Sequence, residues 1–112
     1  DCGDCARLRA TTLKDARLQQ EYLRSFVTVS VRADVPFPLH DFEGTATDQA
    51  AFALRERVIA VPTLIFYDLD ALTVTRHVGT RLPADGWLQL ARYVRERGFE
   101  LAPFAAWKAR RS

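Results

Sequence analysis

DCGDC, residues 1–5, sets two cysteines, Cys2 and Cys5, two residues apart ahead of any core-forming segment. They are the chain's only cysteines, so one intramolecular disulfide is possible. A disulfide scaffold would use more of them at wider spacing. A C-x-x-C bond closes a very small loop and stabilises a fold little through loop entropy. The spacing therefore points to chemistry: a redox pair, half of a metal site, or two inert thiols. From Cys2 onward CARLRATTL reads as a helix, with apolar positions at Leu8 and Leu13. At a helix start, the free N–H groups of the first turn favour a thiolate, which is the attacking form. The second sulfur lies within reach to resolve a mixed disulfide. On this reading Cys2 is the nucleophile and Cys5 the resolving thiol. Gly3 lets a partner backbone approach. Asp4, like Asp1, opposes thiolate formation, whereas the helix terminus favours it.

The rest of the chain bounds the choices. Its 112 residues make one domain, 48% hydrophobic and 27% charged, in the ordinary range for a globular protein. No apolar run approaches the roughly 20 residues of a membrane-spanning helix. Net charge is +2, with 14 arginines and 2 lysines spread along the chain. That is too weak a signal to predict a nucleic-acid partner, and the basic tail WKARRS reads as a solvated end. A zinc site would need two more ligands. His40 and His77 are the only histidines; the first reads as a loop residue and the second as a strand residue facing solvent. No metal is expected.

Asp15 can cap the helix ARLQQEYL. FVTVSV, residues 26–31, predicts a strand in which Val27, Val29 and Val31 alternate with Thr28 and Ser30. Residues 32–47 hold two prolines and a glycine and read as a long loop. Its Phe37 and Phe42 read as core packing beneath that loop. Thr47 is the expected N-cap of the helix DQAAFALRER. TLIFYD, residues 63–68, predicts a strand covered on both faces, and LTVTRHVG returns as its hairpin partner. LPADGWLQLARYVRERG predicts an amphipathic helix stopped by Gly98. One short helix follows Pro103 in an extension over residues 99–112. The order helix, strand, helix, strand, strand, helix gives an α/β fold, a sheet between helices.

VIAVPT, residues 58–63, sets Pro62 directly before an apolar strand, where it cannot donate to the ladder. From local sequence, a trans proline starting a strand is the simpler reading; a cis Val61–Pro62 bond is the alternative.

Taken together, the C-G-x-C opening a helix, the V-P-T at Val61, Pro62 and Thr63, and the V-G at Val78 and Gly79 resemble the thioredoxin family over residues 1 to about 98. The D-F-E-G at residues 41–44 and the ending YVRERGFELAPFAAW are similar to bacterial periplasmic thioredoxins associated with sulfur oxidation. The resemblance implies a thioredoxin-like fold with a central mixed sheet flanked by helices. It implies a thiol–disulfide oxidoreductase, a periplasmic reductant of protein disulfides that needs no cofactor. Electrons would come from a dithiol donor, in this family often a membrane protein. Cys2 would be the exposed nucleophile, Cys5 its buried partner and Pro62 a cis-proline packed against the pair. Val61 would offer its backbone to an extended substrate, with Thr63 and Gly79 shaping the same surface. Departures are Asp4 where proline is usual, Asp1 where tryptophan is usual, and Ile59 and Ala60 where Arg-Gly often stands. They leave open an oxidant or isomerase of the same fold, and a thioredoxin-fold binding module whose cysteines do not turn over. In that fold a central strand runs directly into the C-x-x-C. No residue stands before Asp1 to make it, so the first central strand is expected to be missing and the domain incomplete at its N-terminus. Strand donation by a neighbouring chain and a rearranged sheet are the alternatives.

Overall fold

The computed structural model describes residues 3–79 and 82–110. Helix α1 spans Gly3–Ala10 and α2 spans Ala16–Ser25, with a 3-10 turn between them. Asp15 caps α2 as its sequence position suggests: its carboxylate accepts from the backbone N–H groups of Arg17 and Leu18. Leu18 and Tyr22, four apart and so on one helical face, are the buried residues of α2.

Strands β1 (Pro38–His40) and β2 (Ala46–Asp48) form an antiparallel hairpin within the stretch expected to be loop. It fits there because the two prolines lie before and at the start of β1, where no ladder N–H is lost. Helix α3 spans Gln49–Arg55, and its N-cap is Asp48 rather than Thr47. Thr47 is paired with Leu39 in the hairpin, which leaves Asp48 to accept from Ala51 N–H at 2.8 Å.

Strands β3 (Thr63–Tyr67) and β4 (Thr73–Val78) pair antiparallel, with a register shift between Phe66 and Tyr67. Helix α4 spans Ala84–Arg95 and α5 spans Phe104–Ala109, the short helix expected after Pro103. Helix α4 ends at Arg95 with Glu96 as its C-cap, and the turn that follows is made by Arg97, not by Gly98. Arg97 takes the left-handed conformation, with φ of 58°, and its guanidinium is held by two bonds to the Glu100 carboxylate. Gly98 is required for another reason: a Cβ there would lie 2.6 Å from the Tyr93 ring and 2.7 Å from Trp107 Nε1.

The strand expected over residues 26–31 does not form. Among the described residues no strand lies beside it to take its N–H and C=O groups. Its valines have no face to bury against, and Val27 and Val29 are 96% and 68% exposed. Phe26 alone turns inward, its ring 5.1 Å from Phe66 and 5.4 Å from Tyr22. The central mixed sheet is corrected with it. Among the described residues the strands form two separate antiparallel pairs. With residues 26–31 unpaired, the helix leading from them to β3 has no parallel partner to cross to.

The α/β layering itself is present around β3 and β4. On one face Phe66 packs against α2, and the core continues through Leu18, Tyr22, Trp87, Leu90 and Ala91. The Tyr22 hydroxyl donates to the Trp87 carbonyl at 2.9 Å and joins α2 to α4. On the other face Tyr67 meets α3, its hydroxyl donating to the Glu56 carboxylate. Helix α5 closes the end of α4, with Trp107 and Phe104 5.2 and 5.3 Å from the Tyr93 ring.

Candidate functional site

Cys5 sits in the first turn of α1, half-buried and disulfide-bonded. Cys2, the only other cysteine of the sequence, lies outside the described residues. Cys5 lines a cleft of about 640 Å³ whose walls include α2, residues 28–31 and β3. Four other residues singled out in the sequence open onto the same cleft: Val61, Pro62, Thr63 and Gly79. They come from two loops 16 residues apart in the chain, brought side by side by the β3–β4 pairing of Thr63 with Val78. The Val61–Pro62 peptide bond is cis, against the simpler reading of the local sequence. Gly79 takes φ of +96°, a conformation that favours glycine. Its N–H donates to the Pro62 carbonyl at 2.8 Å, which ties the two loops together. The Thr63 hydroxyl donates to the Ala60 carbonyl, holding the turn into β3. Val61 remains nearly half exposed beside the cleft.

Gly3 and Asp4 do not line the cleft. Gly3 is exposed, with open space where a Cβ would stand. Asp4 is exposed on α1, and its Oδ1 accepts from Arg7 Nη2 at 2.9 Å.

A family model for the thioredoxin-like domain matches residues 1–95. The chain belongs to the thioredoxin-like domain family. No curated protein and no solved structure matches it. Membership fits the cleft, where a helix-start cysteine and a proline-led strand from distant parts of the chain meet.

The histidines of this thioredoxin-like domain behave differently from each other. His40 is exposed on β1. His77 does not face solvent as expected. It pairs across the sheet with Leu64 and so shares the inner face. Its Nε2 is buried without a hydrogen-bond partner among the described residues. Burial, with Lys108 as a smaller contributor, pushes the imidazole below its usual range. Among the described residues no three His, Cys, Asp or Glu side chains gather as a metal site. No described helix is long and apolar enough to cross a membrane.

Phe37 and Phe42 are not buried beneath a loop; they are 56% and 54% exposed. Phe42 rests at the edge of the fold, its ring 4.7 Å from Tyr67 and 6.0 Å from Phe52. What orders this hairpin is Asp41, the first residue of the D-F-E-G stretch, to which the sequence reading gave no structural role. Its carboxylate accepts from the N–H groups of Glu43 and Thr45 and from Arg55 on α3 at 2.9 Å. The D-x-x-G turn, with Gly44 at φ of +78°, was the available signal: aspartate often bonds its own backbone in such turns.

The Arg55 guanidinium and these N–H groups hold the Asp41 carboxyl below the ordinary aspartate range. A depressed folded-state pKa contributes stability above the unfolded value, and that contribution is lost as pH falls. The unfolded value is about 3.9. Asp41→Asn is therefore expected to lower the melting temperature at pH 6, and the gap from the parent should close below about pH 4. Parallel melting curves from pH 2 to 6 would show that the carboxylate charge does not hold the hairpin.

Proposed function

We propose that the protein is a thiol–disulfide oxidoreductase that reduces disulfides in protein partners through Cys2 and Cys5. The observation that carries this reading is Cys5. It is disulfide-bonded at the start of a helix, and it shares one cleft with Pro62 and Gly79. The Cys2 thiolate attacks one sulfur of the partner's disulfide. That S–S bond breaks, a mixed disulfide forms, and the partner's other sulfur leaves as a thiolate and takes up a proton. Cys5, deprotonated, then attacks the Cys2 sulfur and releases the partner's second thiol. Two electrons pass to the partner, and the domain is left as the disulfide. Val61, exposed at the rim, presents backbone to an extended partner segment, which would add as one strand. Thr63 and Gly79 keep that surface open.

The finer assignment is a periplasmic reductant of the kind associated with bacterial sulfur oxidation, recharged by a dithiol donor. It rests on the D-F-E-G turn and the C-terminal sequence alone. An alternative is a binding module without turnover, for which the exposed Phe37 and Phe42 offer a contact surface.

The reduction potential of the pair, measured by equilibration in thiol–disulfide buffers, tests the reading. A two-electron transition near about −270 mV is expected, where reductants of this fold lie. A value near about −120 mV would reverse the direction to that of an oxidant. Absence of a reversible transition would remove the enzyme reading in favour of the binding module.

A further inference from the structure

His77 is a titratable group of the cleft with no part in the proposed reaction. It lines the cleft together with Cys5, Pro62, Thr63 and Gly79. Its pairing with Leu64 sets it on the inner face of the β3–β4 hairpin, and Leu64 packs against the core. Among the described residues its Nε2 is buried and meets no hydrogen-bond partner. A neutral imidazole tolerates such a site. The protonated ring does not, because it places a charge and an unmatched N–H there. Nearby charge does not offset that cost. Lys108, on α5, has the same sign and acts against protonation. The other charged side chains lining the cleft are Arg9 and Glu56. Arg9 again has the same sign and is exposed on α1. Glu56 accepts from the hydroxyl of Tyr67, on the other face of the hairpin. On β4 itself, Arg76 pairs with Ile65 and so points away from His77. Two residues beyond His77, the Gly79 N–H donates to the Pro62 carbonyl and ties the loops of the cleft together. Displacing the His77 ring from Leu64 therefore works on that tie through two residues of backbone.

We propose that His77 is an acid-sensitive latch on the cleft: protonating its imidazole forces the ring off Leu64 and loosens the end of β4 that carries Gly79. In the unfolded chain the imidazole takes its proton near about pH 6.5. In the folded chain burial delays that step to lower pH. Stability is therefore full above the unfolded value and is lost as pH falls below it. The loosened end is also where the partner segment is proposed to dock, but the latch itself does not depend on that reading.

The test is the melting temperature of the full chain, with its disulfide intact, beside His77→Leu and His77→Gln, neither of which takes a proton. His40 is present in all three chains and cancels. From about pH 7.5 to about pH 5 the parent is expected to lose a few degrees more than either variant, the size of one buried ionisation in a domain this small. A second readout places the effect. Exchange of the Gly79 amide, corrected for the intrinsic pH dependence of exchange, should speed up severalfold in the parent and stay constant in the variants. A gap between parent and variants that does not change with pH overturns the proposal. So does a parent that gains stability in acid relative to the variants. A pH-dependent gap with unchanged Gly79 protection also overturns it, because the proton would then act on the fold as a whole and not on the cleft. If the leucine variant does not fold, the glutamine variant carries the comparison.

Discussion

Replacing Cys5 with serine is expected to stop turnover while trapping the domain on its partners. In the proposed reaction Cys2 still attacks and forms the mixed disulfide. Serine, whose hydroxyl stays protonated at neutral pH, cannot attack that bond to release the partner. Reduction of a protein disulfide should fall to the rate of the reducing buffer alone. Covalent adducts should accumulate and disappear on treatment with dithiothreitol. Cys2→Ser should lose turnover to the same extent and form no adduct, because the attacking sulfur is gone. The two variants together separate the roles, which a single loss of activity would not do. Adducts in Cys2→Ser but not in Cys5→Ser would exchange the two assignments. Full turnover in Cys2→Ser would remove the dithiol from the reaction altogether. Cys5 is half-buried in the first turn of α1 and is not one of the buried core residues, so Cys5→Ser should remain folded.

The second large effect concerns stability. Trp87 is 4% exposed and fills the junction of α2 and α4, its ring 6.1 Å from Tyr22. Trp87→Ala is expected to cost about 3–5 kcal/mol, the range for removing a large buried aromatic. A domain of this size has roughly 5–15 kcal/mol in total, so the variant should be marginally folded or unfolded. The Trp87 carbonyl that accepts the Tyr22 hydroxyl is backbone, and the substitution keeps it. The loss is therefore packing. Trp87→Phe keeps the argument measurable in a folded protein. The indole Nε1 has no hydrogen-bond partner among the described residues, so phenylalanine gives up volume but no bond. Its midpoint in urea should fall well short of the alanine loss, with an unchanged slope. A loss under about 1 kcal/mol in the alanine variant would mean that the indole is not packed as described.

Several elements could be read from residues alone because their signals are local. Asp15 caps α2 with its own carboxylate. The run TLIFY, residues 63–67, pairs with the strand that follows it across a short turn, so its register is set within 16 residues. The amphipathic spacing of α4 and the proline before α5 mark those helices without reference to anything distant. The candidate site was legible in the same way, through residue types with narrow chemical uses: a C-x-x-C, a V-P-T and a V-G.

Residues 26–31 show where local reading fails. Their alternation is that of a strand, but alternation states only which face would be buried, not whether a neighbour is there to bury it. The same limit applies to His77. It reads from sequence as a strand residue facing solvent, and only the pairing with Leu64 shows the imidazole turned inward. Thr47 and Asp48 compete for one cap, and the hairpin decided between them by taking Thr47 into a strand.

By itself the sequence determined the helices and the β3–β4 hairpin, because capping, helical periodicity and short-range pairing need only neighbours along the chain. It also marked the candidates for chemistry, because thiols at C-x-x-C spacing have few other uses. Only the tertiary structure decided that Cys5, Pro62 and Gly79 share one cleft, that Asp41 ties the hairpin to α3, and that residues 26–31 stay out of a sheet. Each of these depends on a partner far away in the chain, and burial and hydrogen bonding are settled by what arrives beside a residue in space.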